Sequence, residues 1–392
     1  MKIHNKIDLD QIKFILTALM VLSLPFSESF KSITVLLALV VFLVQLYKRD
    51  IIYKLSLIHY GFLLLLLSSI ISSILSNDPF KGLSGSKDIL FFSIPFFVAF
   101  SFDKEKQIRT ILWCLFVSTA TSALIGIFHS IENSRPLEIH ALGNQNYTAM
   151  FFTIVLTSVI SMVLFSNKEN LFKKMILIGL SIVILFAAVM TLMRASFLGL
   201  FVFFVFLVSL NLKTILNRRS KIFNHPLLLI IIGFIFLTFL VLYLDRAMWQ
   251  KLFSFKSMIS RCDIWEEAVR LFIENPITGV GLNQFEFRFP ASHPVEPNNI
   301  VYDAHSLYLQ TASQMGLIGL SSLAIMFVGF IKGWRDFIVL SGFHRALRYG
   351  CLGAFLVIFV AGLFDTTLHH EHAMTFSLIS GFSFGYREKN GV

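Results

Sequence analysis

Charge is scarce in this chain. Only 14% of its 392 residues are Asp, Glu, Lys or Arg, where a soluble domain carries about 25%. Cysteine is scarce too. Cys114 and Cys351 fall in apolar runs and Cys262 in a polar stretch, so a disulfide-stapled domain is excluded. No G-x-x-x-x-G-K-[ST] or dinucleotide-binding fingerprint is present, which leaves the chain no motif for hydrolysing a nucleotide. No internal repeat is evident, and the hydrophobic segments do not pair into the inverted halves of a transporter. What the chain has in excess is apolar surface: 56% hydrophobic residues, 44 of them Phe, at a mean hydropathy of +0.76. One water-soluble core cannot hide that much. The composition predicts an all-α polytopic membrane protein.

A span needs about 20 mostly apolar residues to cross roughly 30 Å of hydrocarbon. Twelve are expected, near 12–27, 31–47, 55–76, 86–102, 109–129, 147–166, 174–191, 195–211, 226–244, 304–331, 347–365 and 370–386. The run 174–211 is too long for one crossing and must fold back, and Arg194 lies near its middle. Spans one to nine then occupy 1–244. A larger extramembrane segment occupies 245–303, and spans ten to twelve with a short tail occupy 304–392. The first apolar run lacks a small-residue cleavage site and reads as a membrane helix rather than a signal peptide.

With the N-terminus in the cytoplasm, the cytoplasmic loops and termini hold 22 of the 33 basic and 8 of the 23 acidic residues. That is the asymmetry of the positive-inside rule. The net charge of +10 is therefore a topology signal, and a nucleic-acid partner is not expected. Both termini are expected in the cytoplasm and the segment 245–303 on the outer face. Span interiors are almost free of ionisable residues, which argues against a transporter.

The outer segment is patterned. Ser260-Arg261-Cys262-Asp263 reads as a capped helix start. Glu266, Glu267, Arg270 and Glu274 then fall on one face, with Ile264, Ala268 and Leu271 opposite. Such a helix suits the membrane surface or the flank of a bundle. Asn275-Pro276 ends it, Gly279-Val280-Gly281 turns the chain, and Phe285–Phe289 reads as extended.

Three residues are expected at the same outer level: Arg194 in the turn between spans seven and eight, Arg261, and His305 at the mouth of span ten. Each alone has an ordinary reading. Arg194 can snorkel from a helix end, Arg261 can pair with Asp263, and His305 can be an interfacial hydrogen-bonding residue. Together, two guanidiniums and an imidazole suit a phosphate-bearing lipid and a proton to be moved. Lys81, Lys87, Arg135 and His140 also fall on this face and read as solvated loop charges.

At these residues the chain resembles the O-antigen ligase / O-antigen polymerase family of bacterial membrane glycosyltransferases. The resemblance lies in Leu192-Met193-Arg194-Ala195-Ser196, in Arg261-Cys262-Asp263-Ile264-Trp265 followed by Glu274-Asn275-Pro276-Ile277-Thr278-Gly279-Val280-Gly281, in Ala304-His305-Ser306-Leu307-Tyr308, and in Gln314–Leu320. It covers about residues 190–335. Ser306 stands where the family more often has Asn.

The resemblance implies a metal- and nucleotide-independent enzyme of the bacterial inner membrane, with no cofactor. It would act at the periplasmic face and take a glycan from undecaprenyl diphosphate. An O-antigen ligase would pass the glycan to a sugar of lipid A–core. A polymerase would pass it to another lipid-linked repeat, and a relative acting on protein is a third possibility. A lipid-linked sugar transporter is the reading from a different class. By the same resemblance Arg194 and Arg261 hold the donor diphosphate and His305 is the base. The cluster of Asp365 with His369-His370-Glu371-His372 reads as an interfacial polar turn near the acceptor glycan rather than a metal site, because adjacent residues on a helix point apart.

Overall fold

A computed structural model describes residues 8–48, 55–85, 91–102, 104–142, 144–165, 170–216, 256–335 and 342–389. They form a helical bundle: α1 Leu9–Ser23, α2 Glu28–Tyr47, α3 Leu57–Leu75, α4 Pro79–Gly85, α5 Ile94–Ser101, α6 Glu105–Asn133, α7 Gln145–Phe165, α8 Leu171–Met190, α9 Arg194–Leu216, α10 Lys256–Glu274, α11 Leu307–Arg335, α12 Gly342–Ala361 and α13 His370–Lys389. One small antiparallel pair, β1 Phe287–Arg288 with β2 Ile300–Val301, lies between α10 and α11. Seven helices among the described residues (α2, α3, α6, α7, α8, α11 and α12) are long and apolar enough to cross a membrane. The chain is a polytopic, mostly helical membrane protein.

Helix α7 is the axis of the bundle. Every side chain from Thr148 to Phe165 is buried. Its hydroxyls are satisfied inside the helix, where Thr153 donates to Ala149 O at 2.9 Å and Ser161 to Thr157 O at 2.7 Å, so they cost little in an apolar setting. Small residues bring neighbours close. Gly350 and Gly353 of α12 face Ser158 and Thr157 of α7, and Gly61 and Gly329 let α3 and α11 touch backbone to backbone. This is how helices associate where lipid and protein are equally apolar. Leu36, Leu37, Val40 and Leu43 of α2 stay exposed on the opposite side, as a lipid-facing surface would be.

Several expected spans differ from the helices observed. Helix α1 has 15 residues, about 22 Å, and buries Lys13, which donates to Ser101 Oγ at 2.9 Å and lies 3.3 Å from Asp10. In the expected span 86–102, the described helix is only Ile94–Ser101, which opens with Pro95 in its first turn, a position where the missing N–H costs nothing. The expected span 226–244 lies outside the described residues. Ionisable groups are also less absent from the spans than expected. Lys31 of α2 and Glu371 of α13 form an ion pair with both side chains buried, and Arg348 of α12 is buried as well. Such charges persist only when paired or hydrogen-bonded. Cys114, Cys262 and Cys351 are free.

The chain between α10 and α11 is joined to the bundle by an unusual device. Helix α11 is broken at Gly316, whose φ of 61° and ψ of −154° are non-helical. The break strands backbone groups, and the residues after α10 satisfy them. Val280 N–H donates to Ser313 O (2.9 Å) and Gly281 N–H to Gln314 O (3.1 Å), while Leu317 N–H donates to Pro276 O (2.8 Å). A broken helix in a membrane protein needs such replacement partners. The Asn-Pro-Ile-Thr-Gly-Val-Gly run is therefore the plug of a broken helix, and the Gln314–Leu320 run is its socket.

A Cβ at Gly316 would overlap the backbone of Ile277, in a conformation that L residues avoid. Gly316→Ala should cost about 1–3 kcal/mol from backbone strain alone. It should show as a lower melting temperature in detergent and a lower membrane level. Gly179→Ala, at an open position on α8, should change neither. Equal stability of the two variants would contradict the plug.

Candidate functional site

One end of the bundle gathers the residues singled out from the sequence. The N-termini of α7, α9, α11 and α13 meet there with the C-termini of α3, α6, α8 and α12. The ties are direct. Leu137 N–H, after α6, donates to Met190 O at 3.0 Å, and Leu307 N–H of α11 to Gly362 O at 2.8 Å. The Gln145 amide of α7 donates to Thr191 O in the α8–α9 turn, and Gln284 donates to Ser76 Oγ at 2.6 Å beside the end of α3. The turn before α9 places Leu192 at a positive φ of 56°, an uncommon conformation for a bulky residue. Arg194 then opens α9 with its side chain exposed.

Arg261 is not at a helix start as the capping pattern suggested. Helix α10 already runs from Lys256, so Ser260 is buried within it and Arg261 projects from its second turn. The acidic-basic face is as expected: Arg270 bridges Glu267 at 2.6 Å and Glu274 at 2.5 Å on the exposed side. The apolar face is covered by the chain's own outer segment. Ile264 and Ala268 pack with Phe285, Phe289 and Ala304, and Leu271 packs against them. His293 fastens this small core. Its Nδ1 accepts from Glu296 N–H at 2.8 Å, so its proton sits on Nε2, 3.1 Å from Asp263 Oδ2. The rigid outer segment thus holds Arg261 over the end of the bundle.

The centre of the site is Asp365, just past α12 and almost wholly buried. Its Oδ2 accepts from Asn146 Nδ2 of α7 at 2.6 Å, and its Oδ1 lies 3.7 Å from His305 Nδ1. Burial pulls the Arg261 guanidinium below its usual range, the Asp365 carboxylate pushes it back up, and the like charge of Arg194 pulls it down. Arg261 is therefore within electrostatic reach of both Asp365 and Arg194. Burial raises the Asp303 carboxyl above the usual carboxylate range; His305 opposes the rise, Asp365 adds to it, and His370 opposes it. Of the three residues singled out at the sequence level, Arg261 and His305 lie near this carboxylate and Arg194 lies near Arg261.

His305 is held in a strained turn, with φ of 47°, in the left-handed region that His tolerates better than most residues. Ser306 is buried and donates to Gly362 O at 3.3 Å. Tyr308 Oη donates to Phe359 O at 2.9 Å. The hydroxyl at position 306 thus ties the His305 turn to the end of α12, next to Asp365.

The polar cluster after α12 divides by direction. Asp365 faces His305 and Glu371 faces Lys31. The rings of His369, His370 and His372 surround Tyr147, with centroids at 4.4, 5.1 and 5.5 Å. No group of three or more His, Cys, Asp or Glu among the described residues is arranged to hold a metal ion. Lys87 lies outside the described residues. Lys81 is on α4, and Arg135 lines a separate cavity of about 690 Å³ with His129 and Glu138.

Sequence reasoning placed Asp365 in a polar turn near the acceptor glycan rather than beside His305, and missed Asn146. Asp365 carried one usable signal, an ionisable residue at the end of an apolar run. Asn146 carried none.

Chemically, the arrangement offers two guanidiniums, one of them at the N-terminus of α9, and an imidazole whose Nδ1 lies 3.7 Å from a carboxylate. Bundle and site together define a polytopic membrane protein with a cluster of charged side chains at one end. Residues 179–324 match the family model described as O-antigen ligase. Over that stretch the chain is similar to O-antigen ligases. Arg194, Arg261 and His305 lie inside the matched stretch, whereas Asn146 and Asp365 lie outside it. No curated protein matches the chain.

Asp365 Oδ1 accepts from Thr366 N–H at 2.8 Å and acts on the His305 imidazole, 3.7 Å away, as a nearby charge rather than a hydrogen-bond partner. Asp365→Asn keeps the shape and removes the charge. It should lower kcat about a hundredfold or more, by analogy with carboxylate–histidine pairs elsewhere, and leave the KM for donor unchanged. An unaltered kcat would detach Asp365 from His305.

Proposed function

We propose that the protein is an O-antigen ligase. It takes a glycan from undecaprenyl diphosphate and joins it to a sugar of lipid A–core at the periplasmic face of the inner membrane. The observation that carries the reading is that Arg261 lies within electrostatic reach of both Arg194 and Asp365 while His305 stands 3.7 Å from Asp365, at one end of the bundle.

In this reading Arg194 and Arg261 grip the diphosphate through guanidinium forks. His305 Nε2 takes the proton of an acceptor hydroxyl as its oxygen attacks the anomeric carbon. The bond from that carbon to the phosphate oxygen breaks, and its electron pair leaves on undecaprenyl diphosphate. The guanidiniums face the charge that grows there, so their contribution is larger in the transition state than in the ground state. Attack opposite the leaving group inverts the anomeric centre. The donor's own phosphate linkage supplies the driving force, so no nucleotide is consumed.

Deleting the gene and resolving the lipopolysaccharide on gels tests the reading. Loss of all long-chain bands with lipid-linked polymer accumulating supports a ligase. Core bearing a single repeat would instead identify a polymerase. Purified enzyme should also transfer glycan in the presence of a chelator.

A further inference from the structure

A cavity of about 420 Å³ adjoins the Asp365 centre without containing the arginines. It meets the centre along two short segments. Asp303 and Leu307, which flank His305, line it, as do Thr366 and Thr367, which follow Asp365. The first turn of α7 serves both sides, since Asn146 holds Asp365 and Tyr147 lines the cavity.

The described lining carries little free positive charge. Among the described residues its carboxylates are Glu28 and Asp303, and its lysine, Lys31, is engaged by Glu371. It suits a neutral, hydroxyl-rich ligand: the rings of Tyr147, His369 and His370 form an aromatic wall, faced by Gln310, Thr311 and Thr366. Aromatic faces with interspersed amide, hydroxyl and carboxylate groups are what a saccharide ring can stack on and bond to.

We propose that this cavity is the subsite for the acceptor saccharide, with Tyr147 and His370 as its stacking wall and Asp303 bonding the sugar hydroxyls beside His305. The proposal rests on the reading of the chain as a glycan transferase. It separates the two substrates by charge: the donor diphosphate lies on the guanidinium side of Asp365 and the acceptor sugar on the ring-lined side. Specificity for the acceptor then resides in α7, α13 and the 303–311 segment. Of these, residues 145–165 and 370–389 are outside the stretch that matches the family model.

The test uses the full-length protein in lipid nanodiscs, with undecaprenyl-diphosphate-linked glycan as donor and lipid A–core as acceptor. Tyr147→Leu and His370→Ala should each raise the acceptor KM about tenfold, a loss of about 1.4 kcal/mol, and leave the donor KM unchanged. Saturation-transfer NMR of the unmodified protein with core oligosaccharide alone should show contact to aromatic protons, a result independent of how the variants fold. An unchanged acceptor KM in folded variants, a raised donor KM instead, or absence of oligosaccharide contact would overturn the subsite. Absence of any transfer by the unmodified protein would overturn the transferase reading itself.

Discussion

His305→Ala is expected to abolish glycan attachment while the protein still accumulates in the membrane. A positioned base contributes about 10²–10⁴ in rate, and no other imidazole lies beside Asp365 among the described ion pairs. The backbone at 305 has a positive φ, so Ala adds strain of its own. His305→Asn guards against that confusion, because Asn tolerates the left-handed region and cannot serve as the base. Both variants should be inactive, and His305→Asn should melt close to the unmodified protein. Normal long-chain lipopolysaccharide in a strain carrying only His305→Asn would remove His305 from the chemistry.

The second large effect is expected from exchanging arginine for lysine. Arg194→Lys and Arg261→Lys preserve charge but replace a planar fork with a compact ammonium. If the guanidiniums stabilise charge on the departing diphosphate, each exchange should lower kcat by about 10²–10³, the scale seen when one preorganised donor is removed from a transition-state site. Arg261 should be the more sensitive of the two. It is half-buried over the site, whereas Arg194 is exposed, and a lysine in the desolvated position loses its proton more readily than arginine does. Steady-state kinetics with the lipid-linked donor would measure this. Wild-type turnover in both variants would mean that the diphosphate is bound elsewhere.

The three candidate residues were readable because they break local rules. Arg194 interrupts the long apolar run 174–211, Arg261 sits in a polar helix beside the membrane, and His305 stands at a span entrance. What was not readable is what they share. Asp365 lies well beyond His305 in the chain, and Asn146 lies in the first half, far ahead of both. Their meeting depends on α7 and α12 packing side by side. The outer segment shows the same limit. Its helix and extended stretch follow from periodicity, but the capping pattern at Ser260 misplaced the helix start, because a plausible cap is only a local preference and α10 continues through it. The Gly279-Val280-Gly281 turn was visible as a turn. Its use in mending a broken α11 was not, since the gap it fills, around Gly316, belongs to a different helix.

Composition and loop charge alone determined that the chain lives in a membrane, which end is expected to face the cytoplasm, and that any ionised group kept near a span end would be worth attention. Those are properties of solvent and of short segments, set by transfer free energy. Tertiary structure alone decided which charges become neighbours. The buried Asp365 carboxylate accepts from its neighbour Thr366 N–H and from Asn146 of α7, and only the packing of distant helices supplies the second.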